Sequence, residues 1–188
     1  MLERALEDLK GWQEHGLDIA VSLNMSAKQL QHPDLAPRVA AALSAHGLPA
    51  KKLRIEIAET ALMAESEAIE RSVRALQRLG VEIAIDNFGS GYSSLGLVRG
   101  FAVNAVKLDR SLVSGCANKR ECAAIVSAVG AMAESLGLTV IASGVETEEE
   151  KRLVQSLGCE RAQGMFIAKP GEWAEITQAK RSPSLLPQ

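Results

Sequence analysis

Short segments rich in Val and Ile alternate along this chain with longer segments of helical period, and each short segment carries a polar side chain near its C-terminal end. This alternation is the reading order of an α/β protein with a parallel sheet, because parallel neighbours need a long crossover and a helix supplies it. Six strands are predicted: Asp18 to Asn24, Leu53 to Glu59, Val81 to Asp86, Ala105 to Leu108, Thr139 to Ser143 and Arg161 to Phe166. Helices between them show apolar stripes, Ile69, Val73 and Leu76 in one and Ile125, Val129, Met132 and Leu136 in another. Gly16, Gly47, Gly80, Gly137 and Gly158 each follow a His or Leu at a predicted helix end, where glycine accepts left-handed backbone.

The polar residues at the strand ends are Asn24, Glu56, Asp86, Lys107, Ser143 and Gln163. Burying such a group unpaired costs about 1–3 kcal/mol, so an apolar strand has no packing reason to place it on a core face. For one strand alone, a polar end residue is ordinary where the chain enters a loop. Recurrence on every strand instead converges on one end if the sheet curls into a barrel, the end at which α/β barrels build their sites. Asn, Glu and Asp offer hard oxygen ligands suited to Mg²⁺ or Mn²⁺, while Lys and Gln can orient a phosphate or an attacking water.

The segments that carry these residues are VSLNMSAKQL (Val21 to Leu30), LRIEIAET (Leu53 to Thr60), IAIDNFGSGYSSL (Ile83 to Leu95), VKLDRSLV (Val106 to Val113), VIASGVETEEE (Val140 to Glu150) and GCERAQGMFIAKP (Gly158 to Pro170). In this order they resemble the EAL domain family, the cyclic di-GMP phosphodiesterases of bacterial signal transduction, from about Trp12 to Pro170. The resemblance implies a modified (β/α)8 TIM-like barrel that uses two divalent metals, Mg or Mn, to open one phosphodiester bond of cyclic di-GMP. It implies metal ligation by Asn24, Glu56 and Asp86, and orientation or activation of the attacking water by Lys107, with Gln163 at the same site. It also implies that Glu59 holds the loop DNFGSGYSSL in place and that Asp109 lies close enough to assist. Two metals clamp the attacking and leaving oxygens of an in-line displacement, which takes several carboxylates.

The sequence departs from that pattern in three ways. No Glu-Ala-Leu strand precedes VSLNMS; the paired aspartates of Asp-Asp-Phe-Gly read Asp86-Asn87-Phe88-Gly89; and the first glutamate of Glu-Gly-Val-Glu is Ser143 in Ser143-Gly144-Val145-Glu146. By resemblance five carboxylates line an intact site, and Glu56 and Asp86 are those that remain. The expectation is a degenerate site that binds no metal stably, with a simple ion pair between Lys107 and Asp86. Expected function is that of a regulatory, dimerisation or protein-contact module with weak cyclic di-GMP binding retained at most, partnered by a second copy or another protein. The alternative is a residual phosphodiesterase that acts in a longer chain or with a partner.

Residues 1–170 are expected to form a partial EAL domain that lacks its first strands, with about six βα units, and residues 171–188 a C-terminal helix and polar tail. Roughly 70 residues of a typical ~250-residue barrel are missing from such a count. An excised fragment, a reading frame begun at an internal methionine, and a truncated domain closed by another subunit all fit. An open barrel of this kind is expected to leave an apolar interior exposed. The first helix, Leu2 to His15, reads as the ordinary helix before the Asn24 strand, with Leu2, Leu6, Leu9 and Trp12 as its stripe; covering the gap is the other use for it.

Composition excludes several other classes. Twenty-one Lys and Arg stand against 23 Asp and Glu, a balance without the electrostatic footprint of a nucleic-acid binder. No apolar run reaches the roughly 20 residues that span a bilayer, so a cytoplasmic protein with no membrane segment is expected. Cys116, Cys122 and Cys159 lack metal-ligand spacing, and Cys116 and Cys122 read as small buried or half-buried residues. His15, His32 and His46 fall beside helix ends, away from the strand termini, and Glu148, Glu149 and Glu150 read as a solvated helix start. Ser90 to Ser94 read as a polar loop.

Overall fold

Alternation along each strand sorts its side chains onto two faces, and the apolar face sets the architecture. The computed structural model describes residues 1–63, 66–90, 95–114, 116 and 119–171. Gly91 to Ser94 of the expected polar loop, and the expected tail from residue 172 onward, lie outside the described residues. The six strands are β1 (Val21–Met25), β2 (Leu53–Ala58), β3 (Glu82–Phe88), β4 (Ala105–Leu108), β5 (Thr139–Ser143) and β6 (Arg161–Gln163). They form one sheet in the order β1-β2-β3-β4-β5-β6, and every pairing is parallel. The result is a curled half-barrel: the alternation of elements predicts the parallel sheet, and the resemblance implies its curl.

Helices α1 (Leu2–Glu14), α2 (Ala27–Leu30), α3 (Leu35–His46), α4 (Glu59–Leu62), α5 (Glu67–Arg78), α6 (Leu95–Gly100), α7 (Arg110–Val113), α8 (Arg120–Leu136) and α9 (Glu148–Ser156) accompany the strands. Leu53, Ile55 and Ile57 of β2, Ile83 and Ile85 of β3, and Val106 and Leu108 of β4 share one core with Leu6, Leu9, Val39, Ile69, Val73, Leu76 and Val126 of the helices. Full burial of each Leu, Ile or Val contributes about 1.5–3 kcal/mol, so this helix-side layer holds the sheet. The Ile69, Val73 and Leu76 stripe is buried as its spacing predicts. α1 lies against α3 and β1, in the position of the helix that leads into β1. All five glycines predicted at helix ends have positive φ, and Gly47 and Gly137 are the left-handed caps of α3 and α8.

Several expectations need correction. β1 starts at Val21 and β6 ends at Gln163, later and earlier than predicted. Gly164 ends β6 by close approach: a Cβ there would lie 2.1 Å from the Val145 carbonyl oxygen, while the Phe166 amide donates to that same oxygen at 3.1 Å. In α8 the fully buried face is Val126, Gly130 and Ala133; of the predicted stripe Val129 and Met132 pack half-buried against the core, while Ile125 and Leu136 are 46% and 57% exposed. The cause is Gly130, whose missing Cβ lets α8 approach the Leu157 carbonyl; a Cβ would sit 2.4 Å from that oxygen.

The concave face is also not the apolar surface expected. Of its apolar side chains Ala84, Ala105 and Ile141 form a small cluster, and all three are buried. Around them the alternation places Ser22, Arg54, Glu82, Thr139 and Arg161 toward the strand starts and the predicted polar residues toward the strand ends. Arg54 and Glu82 are register partners, and both guanidinium contacts, Nε at 3.0 Å and NH2 at 2.5 Å, reach the same carboxylate oxygen.

Candidate functional site

The centre of the site is built by three neighbouring strands. Glu56 on β2, Asp86 on β3 and Lys107 on β4 occupy the concave face, separated in sequence from the core residues by the two-residue period of a strand. Lys107 Nζ donates to Glu56 Oε2 at 2.6 Å and lies 3.5 Å from Asp86 Oδ1. The expected Lys107–Asp86 ion pair is present, and Glu56, not expected as a partner, holds the shorter contact. Lys107 and Glu56 are 8% and 6% exposed, so the pair is desolvated and its attraction is far less screened than a surface pair's.

A bulge in β3 falls at Asp86 and Asn87. The register with β4 shifts between Ile85 and Phe88, and Asn87 takes φ 57°. Asp86 faces the concave side in phase with Ala84, and the inserted residue lets Phe88, two positions on, enter the helix-side core. Asn tolerates left-handed backbone better than most residues, so its presence here suits the turn. Glu59, buried at the start of α4, accepts from the Gly89 amide at 3.1 Å and so touches the loop that follows β3.

A groove of about 620 Å³ opens above this centre, lined by Asp86, Asn87, Lys107, Arg110, Ser143, Glu146, Gln163 and Lys169 among others. Ser143 is in register with Gln163, and its hydroxyl is buried with no hydrogen-bond partner among the described residues. Arg110 NH2 contacts Glu146 Oε1 at 2.5 Å, and the Arg110 stem lies against Gly144, where a Cβ would come within 2.5 Å of it. The Glu146 amide donates to Glu150 Oε2 at 2.8 Å. Glu148 and Glu149 are exposed in the first turn of α9, as expected of a solvated helix start, but Glu150 is buried and anchors the turn after β5, whose amide needs an acceptor.

Not every predicted residue joins the groove. Asn24 is the register partner of Glu56 on the concave face and is exposed. Asp109 caps α7, accepting from the Ser111 amide at 2.8 Å. His15 stays at the end of α1, with Nδ1 2.7 Å from the Gly11 carbonyl, and His46 pairs with Glu3 at 3.2 Å. Arg110, Glu146 and Lys169 are groove residues that strand-end reasoning misses, because they lie beyond the strands. Their signal lies in the charged loops after β4, β5 and β6. Among the described residues no three His, Cys, Asp or Glu side chains gather as a metal cage.

The family model for the EAL domain matches residues 1–170. This chain belongs to the EAL domain family. Signaling protein YkoW of Bacillus subtilis is 33% identical over 170 residues, 90% of this chain and 21% of its own length. MucR of Pseudomonas aeruginosa, a bifunctional diguanylate cyclase/cyclic di-GMP phosphodiesterase, is 34% identical over 90% of this chain and 25% of its own. The solved MucR phosphodiesterase, in complex with c-di-GMP, superposes with a TM-score of 0.86 at 34% identity over 93% of this chain and 71% of that one. A manganese/c-di-GMP complex of Klebsiella pneumoniae BlrP1 gives a TM-score of 0.81 at 33% identity over 90% of this chain and 44% of that one. The EAL domain described here thus spans about a fifth to a quarter of the length of these curated relatives. Its architecture is an incomplete (β/α)8 barrel of the EAL type. Among the described residues no helix is long and apolar enough to cross a membrane.

Proposed function

We propose that this chain is a degenerate EAL domain without phosphodiesterase activity that acts as a regulatory, dimerisation or protein-contact module in cyclic di-GMP signalling. The observation that carries this reading is the shared use of Lys107 by Glu56 and Asp86. A pair of cations that clamps a phosphodiester needs several carboxylates free to ligate them. Here the neighbouring positions are the amide of Asn87 and the hydroxyl of Ser143. The described donor set does not fit two divalent cations.

In this reading Asn24, Glu56 and Asp86 are vestigial metal positions, and Lys107 and Gln163 are vestigial catalytic ones. Glu59 retains a loop-holding role through Gly89, and Asp109 serves α7. Lys169 and Arg110 line the groove as cations that can meet a phosphodiester, so the proposal allows cyclic di-GMP binding that is weak at most. The second reading, a residual phosphodiesterase in a longer chain or with a partner, is favoured by the meeting of Glu56, Asp86, Lys107 and Gln163 on one face.

Calorimetric titration with cyclic di-GMP, with and without Mn²⁺, combined with an assay for the linear dinucleotide, separates the readings. The expected outcome is weak or absent binding that Mn²⁺ does not enhance, and no linear product. Turnover at an ordinary enzymatic rate, on the order of 1 s⁻¹ or faster, would sink the proposal.

A further inference from the structure

We draw no further inference here: the strongest candidate, the apolar stripe of Ile125, Val129, Met132 and Leu136 along α8 beside the groove lined by Val98 and Val103, is a surface face, and nothing in the structure shows what covers it.

Discussion

Cys159 shows how burial tunes a side chain in this domain. Its thiol lies in the core, 4% exposed, and burial, with a smaller contribution from Cys116, pushes it from the usual 9.0 up to about 11. Burial likewise raises Cys116, with Cys122 and Glu150 adding to the effect. The unfolded Cys159 thiol loses its proton first, so between pH 9.0 and about 11 the unfolded chain binds fewer protons than the folded one. The stability contributed by the protonated thiol is complete below that window and is lost as pH rises through it. Denaturation midpoints of the natural chain should fall more steeply across the window than those of Cys159→Ala; parallel curves would contradict the shift. At this scale the sequence shows which groups are chemical and which are small and buried. It does not show which carboxylate Lys107 prefers, since Glu56 is 51 residues away and Asp86 only 21.

The elements divide by how one-sided their composition is. α5 sets three buried residues against a strongly charged remainder, so its inward face was readable from spacing. α8 is apolar on several sides, with Ala123, Ala124, Ala128 and Ala131 beside the larger residues, so periodicity does not choose a face. The close approach at Gly130 chooses it. Val126→Ala should therefore cost about 2 kcal/mol in guanidinium denaturation. Leu136→Ser should stay within about 0.5 kcal/mol of the natural chain, because its side chain is exposed. Equal losses would mean that α8 is rotated toward the stripe its sequence suggests. Asn104 is a further element-level device that pattern reading passes over. Its side-chain oxygen accepts from the Ile83 amide at 2.8 Å, and its backbone continues the ladder to Thr139 at 3.0 Å.

Across the whole molecule, stability is graded from the middle of the sheet outward. β2, β3 and β4 have paired neighbours on both sides and a buried helix-side layer. β6 has three residues, two of them exposed, and pairs with β5 on one side. Amide hydrogen exchange should be slowest at Ile55, Ile57, Ile85 and Val106 and fastest, among ladder amides, in β6. Slow exchange in β6 comparable with β3 would contradict this gradient. The sequence by itself determined the parallel order of six strands, the helix-side core and the polar end of each strand, because all of these follow from period-two and period-3.6 patterning along a local stretch. Only the tertiary structure decided the rest: the preference of Lys107 for Glu56, the Arg54–Glu82 pair, the rotation of α8 and the entry of Phe88 into the core at the β3 bulge. Those depend on distances between residues far apart in sequence, on a backbone that bends by one residue, and on how closely two elements approach where a side chain is missing.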